Sequence, residues 1–211
     1  MTKHHLFYSL LLFSLASCFG LDDNLFNPDT SITQYEFEHF TGKQEIEAFD
    51  YVIADEDIHL LTLTPGTSGE KVYAAYLGDT NNIATDTVIL YCHGNAGHMD
   101  YYYPRAKLLA HTNGKHTNGV LMMDYRGYGL SEGKPSEDNM YEDVDACMAW
   151  LKSKGLNNDR LIIYGFSLGA SAACELTANP RTLTPSKILL ESPFASAATL
   201  IQEGSGLALP S

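Results

Sequence analysis

The chain has 211 residues, which suits a single domain. Hydrophobic residues make up 45% and charged residues 18%, and this balance argues against a disordered chain and for a large buried core. The 13 Lys and Arg against 26 Asp and Glu give a formal net charge of −13. Nucleic acid is therefore a poor candidate for a partner, because binding phosphates needs clustered basic side chains.

The N-terminus has the pattern of a signal peptide rather than of a folded element. A short basic start containing Lys3 precedes an apolar run over residues 6–16. The run is shorter than the ~20 apolar residues that a membrane-spanning helix needs. We therefore predict a signal peptide over residues 1–17.

A cysteine follows the apolar run directly, in the order Leu15, Ala16, Ser17, Cys18. This segment resembles the lipobox of bacterial lipoproteins, in which the cysteine becomes the mature N-terminus and carries acyl chains. The resemblance implies lipidation of Cys18, a lipid-anchored linker over residues 18–34 and a location in the cell envelope. That location would be the periplasmic side or the outer membrane in a Gram-negative source. An ordinary secretory cleavage site is the alternative.

The other three cysteines are widely spaced and form no disulfide pattern. Cys92 ends an apolar strand, while Cys147 and Cys174 lie in predicted helices. We predict all three to be small buried hydrophobic residues. The spacing of cysteines and histidines indicates no metal site, and the sequence indicates no cofactor.

The first part of the body of the chain, up to residue 77, is rich in strand-forming residues and turns. Residues 22–29 are predicted to be an exposed linker. Four predicted strands follow, and their hairpin-like spacing favours antiparallel pairing; they cover residues 35–40, 47–54, 58–63 and 71–77.

The rest of the chain alternates apolar strands with helices. Predicted strands lie over residues 87–92, 120–123, 160–164 and 187–190, and predicted helices over 101–111, from Ser136 to Gly155, and over 168–178. This alternation predicts a mainly parallel sheet, with antiparallel strands at its N-terminal side. Ligands bind such sheets at the carboxyl ends of the strands.

The strongest chemical signal is the motif G-x-S-x-G over residues 165–169. It joins an apolar strand to a helix, which is the setting of a nucleophile elbow. Glycines flanking Ser167 allow a sharp turn, and the helix dipole favours negative charge that develops there. Ser167 is therefore the predicted nucleophile.

A second loop, over residues 93–97, follows the first parallel strand. In hydrolases with such an elbow this loop supplies one backbone N–H of the oxyanion hole, and the residue after the serine supplies another. The predicted donors are Asn95, with Ala96 as an alternative, and Leu168. The His93 side chain is predicted to be packed within the loop.

A third loop, over residues 124–133, is rich in glycine, and we expect a structural pair between Asp124 and Arg126. Next to the second loop, Tyr101, Tyr102 and Tyr103 begin a helix; they are predicted to pack in the core, with a role in an acyl pocket as the alternative.

These motifs together resemble those of the α/β-hydrolase superfamily. Within it, they resemble the serine hydrolases that include the Bem46-like proteins and the α/β-hydrolase-domain proteins 13 and 17, whose domain is of the serine aminopeptidase type. The matching segments are residues 92–97, 124–137, 164–170 and 190–194, in the order of the family. The resemblance implies a hydrolase domain over residues 35–211. It also implies hydrolysis of an ester, thioester or amide bond in a small acyl or peptide substrate.

The chain departs from this family after the nucleophile. The triad order of the fold is serine, acid, histidine, yet no His or Asp follows Ser167. Among the acidic residues that follow Ser167, Glu191 lies at the end of a predicted strand. It is a candidate for the acid of the triad, with a structural role as the alternative. Because the general base is missing, we expect impaired or no activity from these residues alone.

Four explanations stay open for the missing base. The chain is a C-terminally truncated or frame-shifted fragment lacking the last strands, or a non-catalytic envelope lipoprotein that uses the scaffold for binding. Alternatively, an upstream histidine such as His93 or His98 has been recruited, or another chain supplies the base.

Overall fold

The structure, a computed structural model, describes residues 25–48, 50–112 and 118–194. The predicted signal peptide over residues 1–17 and the predicted lipid attachment at Cys18 lie outside these residues. Within them, the chain forms one six-stranded sheet with helices on both faces.

The sheet contains the strands β2 (Ile58–Leu63), β3 (Val72–Leu77), β4 (Thr87–Cys92), β6 (Asn118–Met123), β7 (Leu161–Phe166) and β8 (Lys187–Glu191). Their order across the sheet is β2-β3-β6-β4-β7-β8. The pairs β2–β3 and β3–β6 are antiparallel, and β6, β4, β7 and β8 are parallel to one another. A short separate pair joins β1 (Asn27–Pro28) to β5 (Ala96–Gly97). The predicted antiparallel start and parallel remainder of the sheet are confirmed.

In the described part of the chain, three helices cover the sheet: α1 (Met99–Ala110), α2 (Glu137–Ser153) and α3 (Gly169–Ala178). The start of α2 confirms the sequence prediction, because the Ser136 side chain accepts a hydrogen bond from the Asn139 N–H. Its predicted apolar face is buried throughout, over Met140, Val144, Met148 and Leu151.

The alternation of side chains along β4 divides the core into two layers. Leu90 packs in a cluster with α2 and α3, whereas Ile89 and Tyr91 pack in a cluster with α1 on the opposite face. Both faces of β4 are therefore buried, which explains why its sequence is a continuous apolar run.

The topology brings two candidate loops together at one edge of the sheet. Cys92, the last residue of β4, pairs with Gly165 near the end of β7. The loop that follows β4 and the turn that follows β7 therefore leave the sheet side by side, at the point where the chain crosses from β6 over β4 to β7. Ligand sites in open parallel sheets form at such crossing points.

No strand forms over residues 35–40 or over the described residues of 47–54, so these two strand predictions were wrong. Residues Phe37–His39 form a single 3-10 turn instead. Side chains satisfy the backbone donors that a strand ladder would have used: the Asp100 carboxylate accepts the N–H groups of Glu36 and Phe37, and Glu38 accepts that of Ile53.

Two burial predictions also fail. Leu25 and Phe26, placed in an exposed linker, are buried in the cluster that contains α2 and α3. Cys92 and Cys147 are buried as predicted, but Cys174 is exposed because it lies on the outer side of α3.

Candidate active site

Ser167 lies in the sharp turn between β7 and α3. Its φ is +50°, a left-handed conformation that is unusual for a residue with a side chain. The turn is compact, because a Cβ placed on Gly165 would lie 2.6 Å from the Ala170 Cα. Glycine is therefore required at position 165, and Ser167 is held at the tip of the turn, half-buried.

The neighbouring strand β8 supports this strained turn. The Ser167 N–H donates to the Glu191 carbonyl at 2.9 Å. Left-handed non-glycine residues cost on the order of 1–3 kcal/mol and persist where the surroundings hold them. The hydrogen bond from β8 is such a constraint.

The turn also touches the loop that follows β4. A Cβ on Gly169 would lie 2.1 Å from the Cys92 carbonyl oxygen and 2.7 Å from that of His93. The first hydrogen bonds within α3 run from Ala170 to Ser167 and from Ser171 to Leu168. The Leu168 N–H precedes these bonds and has no acceptor within the helix, as is usual at a helix start.

The imidazole of His93 is fully buried and holds the loop from within. Its Nδ1 lies 2.7 Å from the Gly94 carbonyl, and its Nε2 lies 3.3 Å from Oδ1 of the buried Asp124. A carbonyl only accepts, so Nδ1 carries a proton. The prediction that His93 is a packed loop residue is confirmed.

This contact fixes the direction of the next N–H group. The peptide between Gly94 and Asn95 is trans, as are the other described peptides, so the Asn95 N–H points away from the Gly94 carbonyl. The carbonyl faces His93, and the Asn95 N–H therefore faces away from that ring. Asn95 keeps its place as a candidate oxyanion donor.

The Ala96 N–H has a different environment. Burial raises the pKa of Tyr102, and the Ala96 N–H opposes that rise because it faces the Tyr102 hydroxyl. The Ala96 N–H thus lies near a hydroxyl oxygen that can accept from it, which makes Asn95 the better candidate donor beside Leu168.

The Glu191 carboxylate belongs to an ion-pair network at the end of β8. It contacts the Arg105 guanidinium and the Tyr164 hydroxyl. Arg105 also pairs with Glu45 and lies 4.4 Å over the Phe166 ring. These contacts fit the structural alternative for Glu191, which ties α1 to β7, the strand before Ser167.

A cavity of about 770 Å³ lies beside the second loop. Ala96, Gly97 and Tyr101 line it together with residues 27–32, while Tyr102 and Tyr103 are buried in the core. His98 also borders it, with Nε2 at 3.9 Å from Asp29. The packing prediction is confirmed for Tyr102 and Tyr103, and Tyr101 packs against the same cluster while remaining partly exposed to the cavity.

The expected pair between Asp124 and Arg126 does not form. Asp124 accepts a hydrogen bond from the Tyr35 hydroxyl at 2.7 Å, whereas the Arg126 side chain binds Asp143 at 2.7 Å and Glu142 at 2.6 Å on α2. Side chains two residues apart in this loop point to different partners. The sequence carried no signal for these distant contacts.

Comparison with known proteins places this geometry in a family. The family model for the α/β-hydrolase fold matches residues 87–203, which is more than half of the chain. The chain belongs to the α/β-hydrolase family. Its sheet order, its elbow and the loop after β4 are thus those of a hydrolase fold.

Similar proteins in the family come from bacteria and vertebrates. The uncharacterized protein YfhR of Escherichia coli is 32% identical over 133 residues, covering 61% of this chain and 44% of that protein. The α/β-hydrolase domain-containing protein 17B of Xenopus tropicalis is 29% identical over 152 residues, covering 70% of this chain and 49% of that protein. The chain thus spans slightly less than half the length of these relatives.

Solved structures share the fold. An esterase from Pyrococcus furiosus aligns with a TM-score of 0.61 at 18% identity, covering 88% of this chain and 63% of that one. An α/β hydrolase from Vibrio vulnificus aligns with a TM-score of 0.57 at 24% identity, covering 77% and 55%. At these identities the likeness concerns the fold alone.

The part of the chain that the structure describes contains neither a metal cluster nor a membrane-spanning helix. Among the described residues, no three His, Cys, Asp or Glu side chains come together as a metal site. None of the helices described here is long and apolar enough to cross a lipid bilayer.

Proposed function

We propose that this protein is a serine hydrolase that cleaves an ester, thioester or amide bond of a small acyl or peptide substrate. The observation that carries the proposal is the position of Ser167, at φ +50° between β7 and α3. A strained serine at a strand-to-helix turn exposes its hydroxyl above the sheet, where an incoming carbonyl can be attacked.

In the proposed reaction, Ser167 Oγ bonds to the carbonyl carbon and its proton passes to a general base. The carbonyl oxygen becomes an oxyanion that accepts hydrogen bonds from the N–H groups of Asn95 and Leu168. Collapse expels the leaving group, which takes the proton, and water then releases the acyl group by the same steps. Loss of one such donor typically slows catalysis by about 10²–10³-fold.

The general base is the open part of this proposal. All eight histidines of the 211 residues precede Ser167. The ring nitrogens of His93 contact Gly94 and Asp124, so its recruitment as the base would require those contacts to break. We therefore propose that residues 1–211 alone turn over esters poorly, since a serine without a base is a weak nucleophile.

A fluorophosphonate probe tests the assignment of the nucleophile. We expect the protein isolated from its source to be labelled, and Ser167→Ala to abolish both labelling and ester turnover. Ser153→Ala is the matched control, because Ser153 is exposed at the end of α2. Equal labelling of the Ser167→Ala variant would remove Ser167 from the mechanism.

The second candidate is an envelope protein that uses the hydrolase scaffold for binding only. It is the case in which no general base completes the site around Ser167. The same probe separates the two, because a folded protein that is never labelled at Ser167 supports the scaffold.

We also propose that Cys18 carries lipid and anchors the protein to a membrane of the cell envelope. The supporting observation is the sequence Leu15-Ala16-Ser17-Cys18 directly after an apolar run. Several acyl chains give stable anchoring, at about 0.8 kcal/mol per buried CH₂. Radiolabelled palmitate should enter the wild-type protein but not Cys18→Ser, and equal labelling of both would refute the anchor.

A further inference from the structure

We propose that Tyr128, together with Tyr102 and His93, positions the loop over residues 93–97, called here the oxyanion loop. These side chains hold two successive peptide units of that loop. The inference rests on the proposed function, and it assigns a role to the tyrosine-rich loop after β6. Tyr128 acts here as a positioning residue, because its contacts are with Asn95 rather than with a substrate.

The Tyr128 hydroxyl makes two contacts with one residue of the loop. It lies 2.8 Å from the Asn95 carbonyl oxygen and 3.1 Å from Asn95 Oδ1. The Asn27 N–H donates to the same Oδ1 at 2.7 Å. Both the backbone and the side chain of Asn95 are therefore tied to neighbouring segments.

These contacts define the orientation of two peptide planes. His93 Nδ1 holds the Gly94 carbonyl at 2.7 Å, which orients the Asn95 N–H. Tyr128 holds the Asn95 carbonyl, and the Ala96 N–H on the same peptide faces the Tyr102 hydroxyl. Because each peptide is planar, constraining both planes fixes the backbone dihedrals of Asn95 between them.

The rings around His93 make this arrangement rigid. Tyr102 stacks on the imidazole at 4.9 Å, Tyr125 packs at 4.4 Å, and Tyr128 meets it edge-on at 5.5 Å. The Tyr125 hydroxyl donates to the His93 carbonyl at 2.9 Å. All four side chains are buried, so the loop rests on a packed platform from α1 and from the loop after β6.

Phenylalanine would fill the same space but would lack the hydroxyl groups. Burial raises the pKa of both Tyr125 and Tyr128, which keeps their phenols protonated as donors over the working pH range. Tyr128→Phe therefore removes the hydrogen bond to the Asn95 carbonyl while keeping the ring in place.

The test compares Tyr128→Phe with Tyr141→Phe in the protein isolated from its source. Tyr141 is the matched control, because its hydroxyl contacts Glu137 on α2. We expect Tyr128→Phe to lower kcat and the fluorophosphonate labelling rate by about 10–100-fold, short of the loss of a whole oxyanion donor. KM should stay within about two-fold, since only transition-state stabilisation is removed.

A second measurement does not depend on activity. Hydrogen–deuterium exchange of the segment over residues 93–97 should become faster in Tyr128→Phe and stay unchanged in Tyr141→Phe. Unchanged exchange, or a raised KM with an unchanged kcat, would overturn the positioning role. If wild-type Ser167 is never labelled, the proposed function fails, and the exchange result still decides whether Tyr128 orders the loop.

Discussion

Replacing Gly169 by alanine tests whether the contact between the elbow and the oxyanion loop matters for catalysis. The added Cβ would lie 2.1 Å from the Cys92 carbonyl oxygen, where van der Waals contact needs about 3 Å or more. The two backbones must therefore separate by roughly 1 Å. Neither atom belongs to a side chain that can turn away.

The expected magnitudes follow from this displacement. Overpacking of this kind costs about 1–3 kcal/mol of unfolding free energy, which equals or exceeds the ~1 kcal/mol that alanine gains over glycine in a helix. A misplacement of about 1 Å lowers catalysis by about 10²-fold, which corresponds to about 2.7 kcal/mol of activation free energy. Activity should therefore fall far more than stability alone would explain.

The assay is kcat/KM for an activated ester, with a thermal melt to confirm that the variant is folded. Gly42→Ala is the control, since Gly42 is exposed and the atoms nearest to its added Cβ belong to the Phe40 side chain rather than to backbone. A folded Gly169→Ala protein with kcat/KM within about three-fold of the wild type would refute the expected displacement, because a 1 Å shift at the site should lower kcat/KM further.

Three further predictions concern the fold. Asp143→Ala removes the fully buried carboxylate that accepts from both the backbone N–H and the guanidinium of Arg126, and should cost about 3–5 kcal/mol in urea unfolding; a loss below about 1 kcal/mol, typical of exposed pairs, would contradict this. Ser136→Ala removes the N-cap of α2 and should cost about 1 kcal/mol, whereas an unchanged midpoint would deny the cap a role. A thiol reagent should modify exposed Cys174 in the native protein but spare Cys92, whose pKa is raised by burial; equal modification would contradict the burial of β4.

The central sheet could be predicted from sequence because its signals are local. The apolar run over residues 87–92 becomes β4 with the predicted bounds, and the capping serine and apolar face of α2 lie where periodicity placed them. The G-x-S-x-G motif likewise predicts a turn, since its two glycines meet backbone on both sides.

The N-terminal segment could not be predicted, because its hydrogen-bond partners are distant in sequence. Residues 35–40 have strand-forming composition, yet their donors are satisfied by Asp100, some 60 residues further on. A side-chain acceptor of this kind leaves no trace in the local pattern, so propensity alone favoured strands.

The site shows the same division between local and distant signals. The serine and its loop follow from motifs, but the choice between Asn95 and Ala96 depends on the Tyr102 and Tyr128 hydroxyls. The partners of Arg126 depend on where α2 packs. These contacts depend on tertiary packing, which cannot be derived from a single sequence.

The assignment of Ser167 as the nucleophile is tested most directly by locating the covalent adduct after fluorophosphonate treatment of the protein isolated from its source. Peptide mass spectrometry should find the phosphonyl group on Ser167, with no adduct in Ser167→Ala. An adduct on another residue of the folded protein, or none at all, would contradict the assignment of Ser167 as the nucleophile.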